Sequence, residues 1–353
     1  MLYAPVRPDP TLPPVRVNLF SDTQTRPSPA MKQAMMAAEV GDEQNGDDPT
    51  VNALCDRMAS LLGKEAAVFL PTGTMCNQIS LLVHCRPGDE ILAHESAHII
   101  ANEGGAPGAL AGTVVRGLQG ERGQFDSATM QAALREKRRN APPQTLVAVE
   151  QTANAGGGSV WPMDRLSDVL TTARGLGLKT HMDGARLMNA VVAAGVPAQE
   201  MAAGCDSVWL DFTKGLGAPL GAVLCGAAVF IDEAWRWKQR LGGSMRQAGL
   251  CAAACLYALE HNVDRLAIDH ANARRLARGL AQVPGLTVES PETNLVFFDT
   301  RESGMKAPEL AEKLRRNGIS VSVVGAYRVR ACTHLDVDAD AVDLAVKVIA
   351  ATL

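Results

Sequence analysis

Asp183 and Arg186, in His181-Met182-Asp183-Gly184-Ala185-Arg186, are followed by Lys214, in Asp211-Phe212-Thr213-Lys214-Gly215-Leu216-Gly217. An acid, a guanidinium and an amine are thus strung along one stretch of chain. Chemistry at the α-carbon of an amino acid needs an electron sink, a ring whose nitrogen stays protonated beside a buried carboxylate and whose aldehyde a lysine can hold. Pyridoxal 5′-phosphate (PLP) is such a group. Asp183 is the candidate for its ring nitrogen and Lys214 for its aldehyde. On spacing alone, a surface lysine and a cap-forming aspartate explain the same residues equally well.

A third segment bears on that choice. Pro71-Thr72-Gly73-Thr74 follows the apolar run Ala66-Ala67-Val68-Phe69-Leu70 and precedes a helix-like stretch at 77–83. Backbone N–H groups at a helix start form an anion site, so Gly73 and Thr74 are candidates for a phosphate. Such turns often serve only as caps, and the position ahead of the acid and the lysine is what gives this one weight.

The elements that must position these groups are legible as alternation. Strands are expected at 66–70, 90–93, 113–115, 145–149, 179–182, 207–210 and 222–225, with helical patterns between most of them. This predicts an α/β fold with a mostly parallel sheet covered on both faces. Asp183 and Lys214 each follow such a strand, at the carboxyl ends where α/β sheets form their ligand crevice. A long helical stretch at 247–283 leads to strands at 286–290, 295–299, 319–323 and 328–331 and helices at 307–317 and 338–352, a small α+β domain.

At 353 residues and 47% hydrophobic content the chain can bury a large core, and a net charge of -4 offers no basic surface for nucleic acid. Arg135-Glu136-Lys137-Arg138-Arg139 reads as a solvated helix end. No apolar stretch suits a membrane span, and the proline-rich segment 1–14 lacks a signal peptide's apolar core, so a cytoplasmic protein is expected. The eight cysteines are scattered without a C-x-x-C pair and read as reduced core thiols, Cys76 and Cys85 near the phosphate loop included. His94-Glu95-Ser96-Ala97-His98 matches H-E-x-x-H and raises zinc hydrolysis as a remote alternative, using His94, Glu95 and His98. The motif starts at a strand end, lacks a long amphipathic helix and has no evident third ligand.

Six segments in order, Ser21-Asp22-Thr23-Gln24-Thr25-Arg26-Pro27, Gly46-Asp47-Asp48-Pro49-Thr50-Val51-Asn52, Leu70-Pro71-Thr72-Gly73-Thr74, Asp183-Gly184-Ala185-Arg186, Lys214-Gly215-Leu216-Gly217 and Met245-Arg246-Gln247, carry a resemblance. The chain is similar to the low-specificity L-threonine aldolase family, within the beta-eliminating lyase/threonine aldolase group of aspartate-aminotransferase-type (fold type I) PLP enzymes. The similarity runs from Val17 to Thr333-His334-Leu335-Asp336. It implies an N-terminal segment at 1–27, a large PLP-binding domain at 28–250 and a small C-terminal domain at 251–353.

The resemblance also implies roles. His98 lies over the cofactor ring and handles protons. Arg186 reaches the cofactor's phenolic oxygen and the substrate carboxylate, which Ser21 and Arg330 also hold. Arg330 is preferred to Arg328 because the family arginine stands four residues before the His334 equivalent. A surface ion pair for Arg330 and a turn role for Ser21 remain open. Arg246 reaches the cofactor phosphate of its own or a neighbouring chain, since family active sites are completed across a dimer interface, often within a homotetramer. A family lysine seven residues before Arg246 is Gln239 here, which leaves Lys238 or Arg240 to replace it, or nothing.

The implied reaction is retro-aldol cleavage of L-3-hydroxy-α-amino acids, such as threonine, allo-threonine or bulkier analogues, to glycine and an aldehyde. Alternatives are another fold type I PLP enzyme, such as an aminotransferase or a tryptophanase-like lyase, working by β-elimination or side-chain transfer. Two departures from the family pattern stand out: Ala153 replaces a second active-site histidine and Asn45 a tyrosine. Both are expected to make room for larger β-substituents.

Overall fold

The computed structural model describes residues 9–353; residues 1–8, and with them the start of the expected segment 1–27, lie outside the described residues. The chain forms two compact units. One comprises the described residues up to Gln24 together with Asp269–Leu353, and the other is Thr25–Ile268. These boundaries differ from 27 and 250 at both junctions.

In the smaller unit, β1 (Val17–Asn18) pairs in parallel with Ile319–Ser320, which draws the N-terminal residues into this unit. At the other junction, Gly249–His261 is a helix that buries Ala252, Ala253, Ala254, Cys255 and Ala258. A helix apolar on several sides must be covered on several sides, and its core belongs to the larger unit.

The larger unit holds a seven-stranded sheet of β2 (Ala66–Leu70), β3 (Glu90–His94), β4 (Val114–Leu118), β5 (Gln144–Glu150), β6 (Lys179–Gly184), β7 (Ser207–Asp211) and β8 (Ala222–Gly226). Their spatial order is β2-β8-β7-β6-β5-β3-β4. Only β8 runs against the others, antiparallel to β2 and β7. β3, β7 and β8 are buried along their whole length, as strands with helices on both faces must be, whereas the edge strand β4 is largely accessible. The helix Pro49–Leu62 illustrates the local rules. Asp48 caps it by accepting from Thr50 and Val51 N–H, Leu54, Met58 and Leu62 recur on its inner face, and Gly63 ends it at φ 61°. Truncating Leu54 to Ala is expected to cost roughly 2–5 kcal/mol.

The smaller unit adds β9 (Thr287–Val288), β10 (Leu295–Asp299), β11 (Ile319–Ser320), β12 (Ser322–Val323) and β13 (Arg328–Cys332). Four of these form an antiparallel sheet in the order β12-β13-β10-β9. Helices Ala307–Arg316 and Ala339–Thr352 contribute Leu310, Leu314, Val342 and Ile349 to a core with Val296 and Phe298.

Three expectations are corrected. The helical stretch 247–283 is two helices, Gly249–His261 and Leu266–Leu280. The run 319–323 splits at Val321, so that β11 pairs with β1 and β12 with β13. The cluster 135–139 is exposed, as expected, but lies beyond the end of helix Ser127–Ala132 in irregular chain, with Arg135 paired to the buried Glu90. All eight cysteines are free. Among the described residues no helix is long and apolar enough to cross a membrane.

Candidate active site

Five strands of the larger unit bring the candidate residues to their carboxyl ends. The chain after β2 starts helix Gly73–His84, β3 leads to His98, β5 ends on Glu150, β6 carries Asp183 and β7 leads to Lys214. The register sets Glu150 beside Asp183 and Asp183 beside Trp209.

Asp183 is held by two donors, the Asn77 amide at 2.8 Å on Oδ2 and the Ala185 N–H at 3.0 Å on Oδ1. Burial pushes its pKa up against the pull of His98 and the Asn77 hydrogen bond. Such a carboxylate is completed by a cationic partner, which is what a protonated ring nitrogen supplies. His98 places Nδ1 2.8 Å from Glu103 Oε1, and its N–H donates to Glu150 Oε2 at 2.9 Å. Burial disfavours the imidazolium, but the bond to Glu103 and the charges of Asp183, Glu103 and Glu150 outweigh it and hold the His98 pKa above its ordinary value. Glu150 is pushed up to about 7 by burial and then by Asp183, even though Asn154 and His98 N–H groups bind its carboxylate.

Lys214 follows a turn in which Asp211 accepts from Thr213 N–H at 2.9 Å and from its hydroxyl at 2.8 Å. Its ammonium bonds to Asp211 Oδ2 and lies 5.9 Å from the Trp209 ring centre. Gly217, at φ +78°, closes the turn by donating to Lys214 C=O at 2.9 Å. Arg186 is buried and donates to Asn154 Oδ1 at 3.3 Å.

Gly73 opens its helix with Thr72 as cap, Thr72 Oγ1 accepting from Met75 N–H at 3.2 Å. A Cβ on Gly73 would stand 2.2 Å from the Trp209 indole, so the first turn lies flat against that ring. Thr74 is exposed on the same turn. A Cβ on Gly243 would meet Met75 Sδ at 2.4 Å, which puts the segment before Arg246 against the phosphate-loop helix. Arg246 itself, 64% exposed, pairs with Asp42 at 2.7 Å. Of the two candidates to replace the family lysine, Lys238 is fully buried with Glu43 at 2.8 Å, and Arg240 stacks over Trp237.

Ser21 and Arg330 belong to the smaller unit and are neighbours within it. Ser21 Oγ accepts from Thr23 N–H at 3.2 Å, and Arg330 Nη2 lies 3.5 Å from Phe20 C=O and 3.4 Å from Ser322 Oγ. Arg328 is taken by a two-point pair with Glu289 at 3.0 and 3.1 Å.

The zinc motif does not assemble. His94 ends a strand, its Nδ1 accepting from Ser96 N–H at 3.1 Å and its Nε2 donating to Gly120 C=O at 3.0 Å, while His98 faces Glu103. Nor does Ala153 open space. It is 3% exposed, and a Cβ on Gly123 would stand 2.5 Å from the Ala153 Cβ, so the turn carrying Gly123 fills the room beside it. Asn45 is exposed.

Sequence reasoning missed Asn77, Glu103 and Trp209 and passed over Glu150 as a ligand of the site. Asn77 stands one helical turn after Gly73, and Glu103 five residues after His98, so only placement beside known candidates hints at them. The groups fit PLP: a buried carboxylate raised by desolvation, a helix start with an exposed threonine, a lysine after the neighbouring strand and an imidazole close to the carboxylate.

Residues 18–303 match the family described as beta-eliminating lyase. A low-specificity L-threonine aldolase of Escherichia coli K12 is 41% identical over 91% of this chain and 94% of its own length. A low-specificity L-threonine aldolase of Arabidopsis thaliana is 39% identical over 90% of this chain and 91% of its own. The solved threonine aldolase of Leishmania major superposes with a TM-score of 0.82 at 21% identity, covering 94% of this chain and 98% of that one, a likeness of fold. The chain belongs to the beta-eliminating lyase and threonine aldolase family of PLP-dependent, fold type I lyases.

Proposed function

We propose that the protein cleaves L-3-hydroxy-α-amino acids, threonine and allo-threonine among them, to glycine and an aldehyde by a retro-aldol reaction. The observation that carries this reading is His98, an imidazole held through Nδ1 by Glu103 and close to the buried Asp183. A carbon–carbon cleavage that starts from a β-hydroxyl needs a base that can take that proton near neutral pH.

PLP, when bound, draws electrons from the α-carbon. The chain's residues do the rest. Gly73, Thr74 and Arg246 would hold the phosphate, and Asp183 would face the ring nitrogen and keep it protonated. Lys214 would hold the cofactor's aldehyde. Arg186 would bind the substrate carboxylate, its planar fork matching the two oxygens. His98 takes the β-hydroxyl proton. A cytoplasmic homodimer or homotetramer, with active sites completed at the dimer interface, is part of the same proposal.

The test is incubation of the PLP-loaded protein with a panel of L-3-hydroxy amino acids, assaying glycine and aldehyde together. Equal release of both without an oxo-acid acceptor is expected. Ammonia and an oxo acid in their place would move the function to β-elimination, and a need for an oxo-acid acceptor to transamination.

A further inference from the structure

Behind Asp183 lies a polar chain whose direction can be read from one donor. Trp209 Nε1 only donates, and it lies 2.7 Å from Asn77 Oδ1, which fixes the orientation of the Asn77 amide. His181 Nε2, 3.0 Å from the same oxygen, must then carry a proton, leaving Nδ1 to accept from the Ser207 hydroxyl at 2.8 Å. Ser207 Oγ in turn accepts from His84 Nε2 at 2.8 Å. Both histidines are held neutral by burial, with pKa values lowered to about 3 for His181 and about 4 for His84.

The Asn77 amide nitrogen is therefore aimed away from Trp209 and His181, and it meets two carboxylates: Glu103 Oε1 at 2.7 Å and Asp183 Oδ2 at 2.8 Å. All four hydrogen-bonding positions of Asn77 are used. Glu103, buried, also accepts from Gln78 Nε2 on its other oxygen and from His98 Nδ1. Oxygen and nitrogen atoms of His98, Glu103 and Asp183 converge closely enough for a cation, but a donor stands between the two carboxylates, which makes the cluster a hydrogen-bond bridge.

We propose that Glu103 and Asn77 are positioning residues: Glu103 fixes the His98 imidazole through Nδ1, and Asn77 ties Glu103 to Asp183, so that the imidazole and the ring-nitrogen carboxylate form one hydrogen-bonded unit. The charged groups facing His98 are Glu103 beyond its own short helix, Asp183 on β6 and Glu150 on β5. Glu103 is the one that holds the ring directly and leaves Nε2 to the reacting face. This inference rests on the proposed roles of His98 and Asp183, and its test separates the two.

In Glu103→Gln the bridge keeps its shape and loses its charge. The His98 Cε1 proton, followed by NMR in the apoprotein and assigned with His98→Gln, is expected to titrate about one pH unit lower or more. The alkaline rise of kcat should move to lower pH by the same amount, and Glu103→Asp should restore part of both. In Asn77→Asp a third carboxylate replaces the bridging amide. PLP affinity, read by its absorbance, is expected to fall at least about tenfold at pH 8 and to recover as pH falls, when a proton can take the place of the lost donor.

An unmoved His98 titration in Glu103→Gln, or a loss of PLP in Asn77→Asp that does not depend on pH, overturns the inference. A protein that shifts as expected but releases no glycine and aldehyde keeps the bridge and loses the proposed reaction. One that cleaves normally while His98 stays unmoved keeps the reaction and loses the bridge.

Discussion

Glu90 and Glu150 are both buried, on neighbouring strands, at opposite ends of the same sheet. At the start of β3, Glu90 accepts two bonds from the Arg135 guanidinium at 2.9 and 2.8 Å and one from Gln144 at 2.7 Å, and Arg135 holds its pKa below the ordinary value. At the end of β5, Glu150 receives only backbone N–H groups and faces Asp183, and burial drives its pKa to about 7. The amino end of the sheet neutralises its charge within the protein. At the carboxyl end, Glu150 and Asp183 face each other without a guanidinium or ammonium between them, and burial raises both, the condition expected of a site that receives a cationic ring and moves protons.

Removing groups from the two ends should therefore have different consequences. Lys214→Ala is expected to lower kcat by at least roughly a thousandfold and to abolish the cofactor's visible absorbance, with some loss of apoprotein stability because the nearly buried Asp211 loses its ammonium partner. Steady-state kinetics and a melting curve check it, and retained turnover would break the contrast. Asp183→Asn should cost roughly 10²–10³ in kcat and weaken PLP binding, as loss of a preorganised electrostatic partner does.

A third prediction concerns apoprotein stability against pH. Glu150 binds a proton more tightly folded than unfolded, so its contribution is fully present below the ordinary carboxylate value of 4.5 and is lost as pH rises through about 7. Glu150→Gln should flatten that decline, a change on the order of 3 kcal/mol across the window. Glu90 has the opposite sign: its contribution is present above 4.5 and disappears as pH falls through its lowered native value. Denaturant titrations across pH read both, and equal slopes for Glu150→Gln and the parent chain would contradict the first. The smallest expected effect is Arg135→Ala, which leaves Glu90 without its guanidinium. A loss of roughly 1–3 kcal/mol of stability is expected, with kcat unchanged.

The parts of this contrast that were legible in the sequence are those carried by local pattern. β2 and β10 fall where their apolar runs end, and Asp183 and Lys214 stand out because each closes such a run. Asn77 and Glu103 were not legible, since the contacts that single them out join residues 26 and 106 apart along the chain, which no local spacing encodes. The break between Gly249–His261 and Leu266–Leu280 was hidden because apolar periodicity continues across it, while Asn262 turns its amide to Leu216 C=O at 2.8 Å and ends the first helix. The split at Val321 was equally hidden, because a single β-like run serves two different partners. Ala153 misled for a related reason: a smaller side chain implies space only if the backbone opposite stays away, and the turn carrying Gly123 closes in instead.

Hydride reduction of the PLP-loaded protein followed by peptide mapping tests most directly which end of the sheet does the chemistry. One stoichiometric cofactor adduct is expected, on the peptide containing Lys214. An adduct on Lys64, which instead donates to the Ala202 and Cys205 carbonyls, or on Lys238, buried against Glu43, would contradict it.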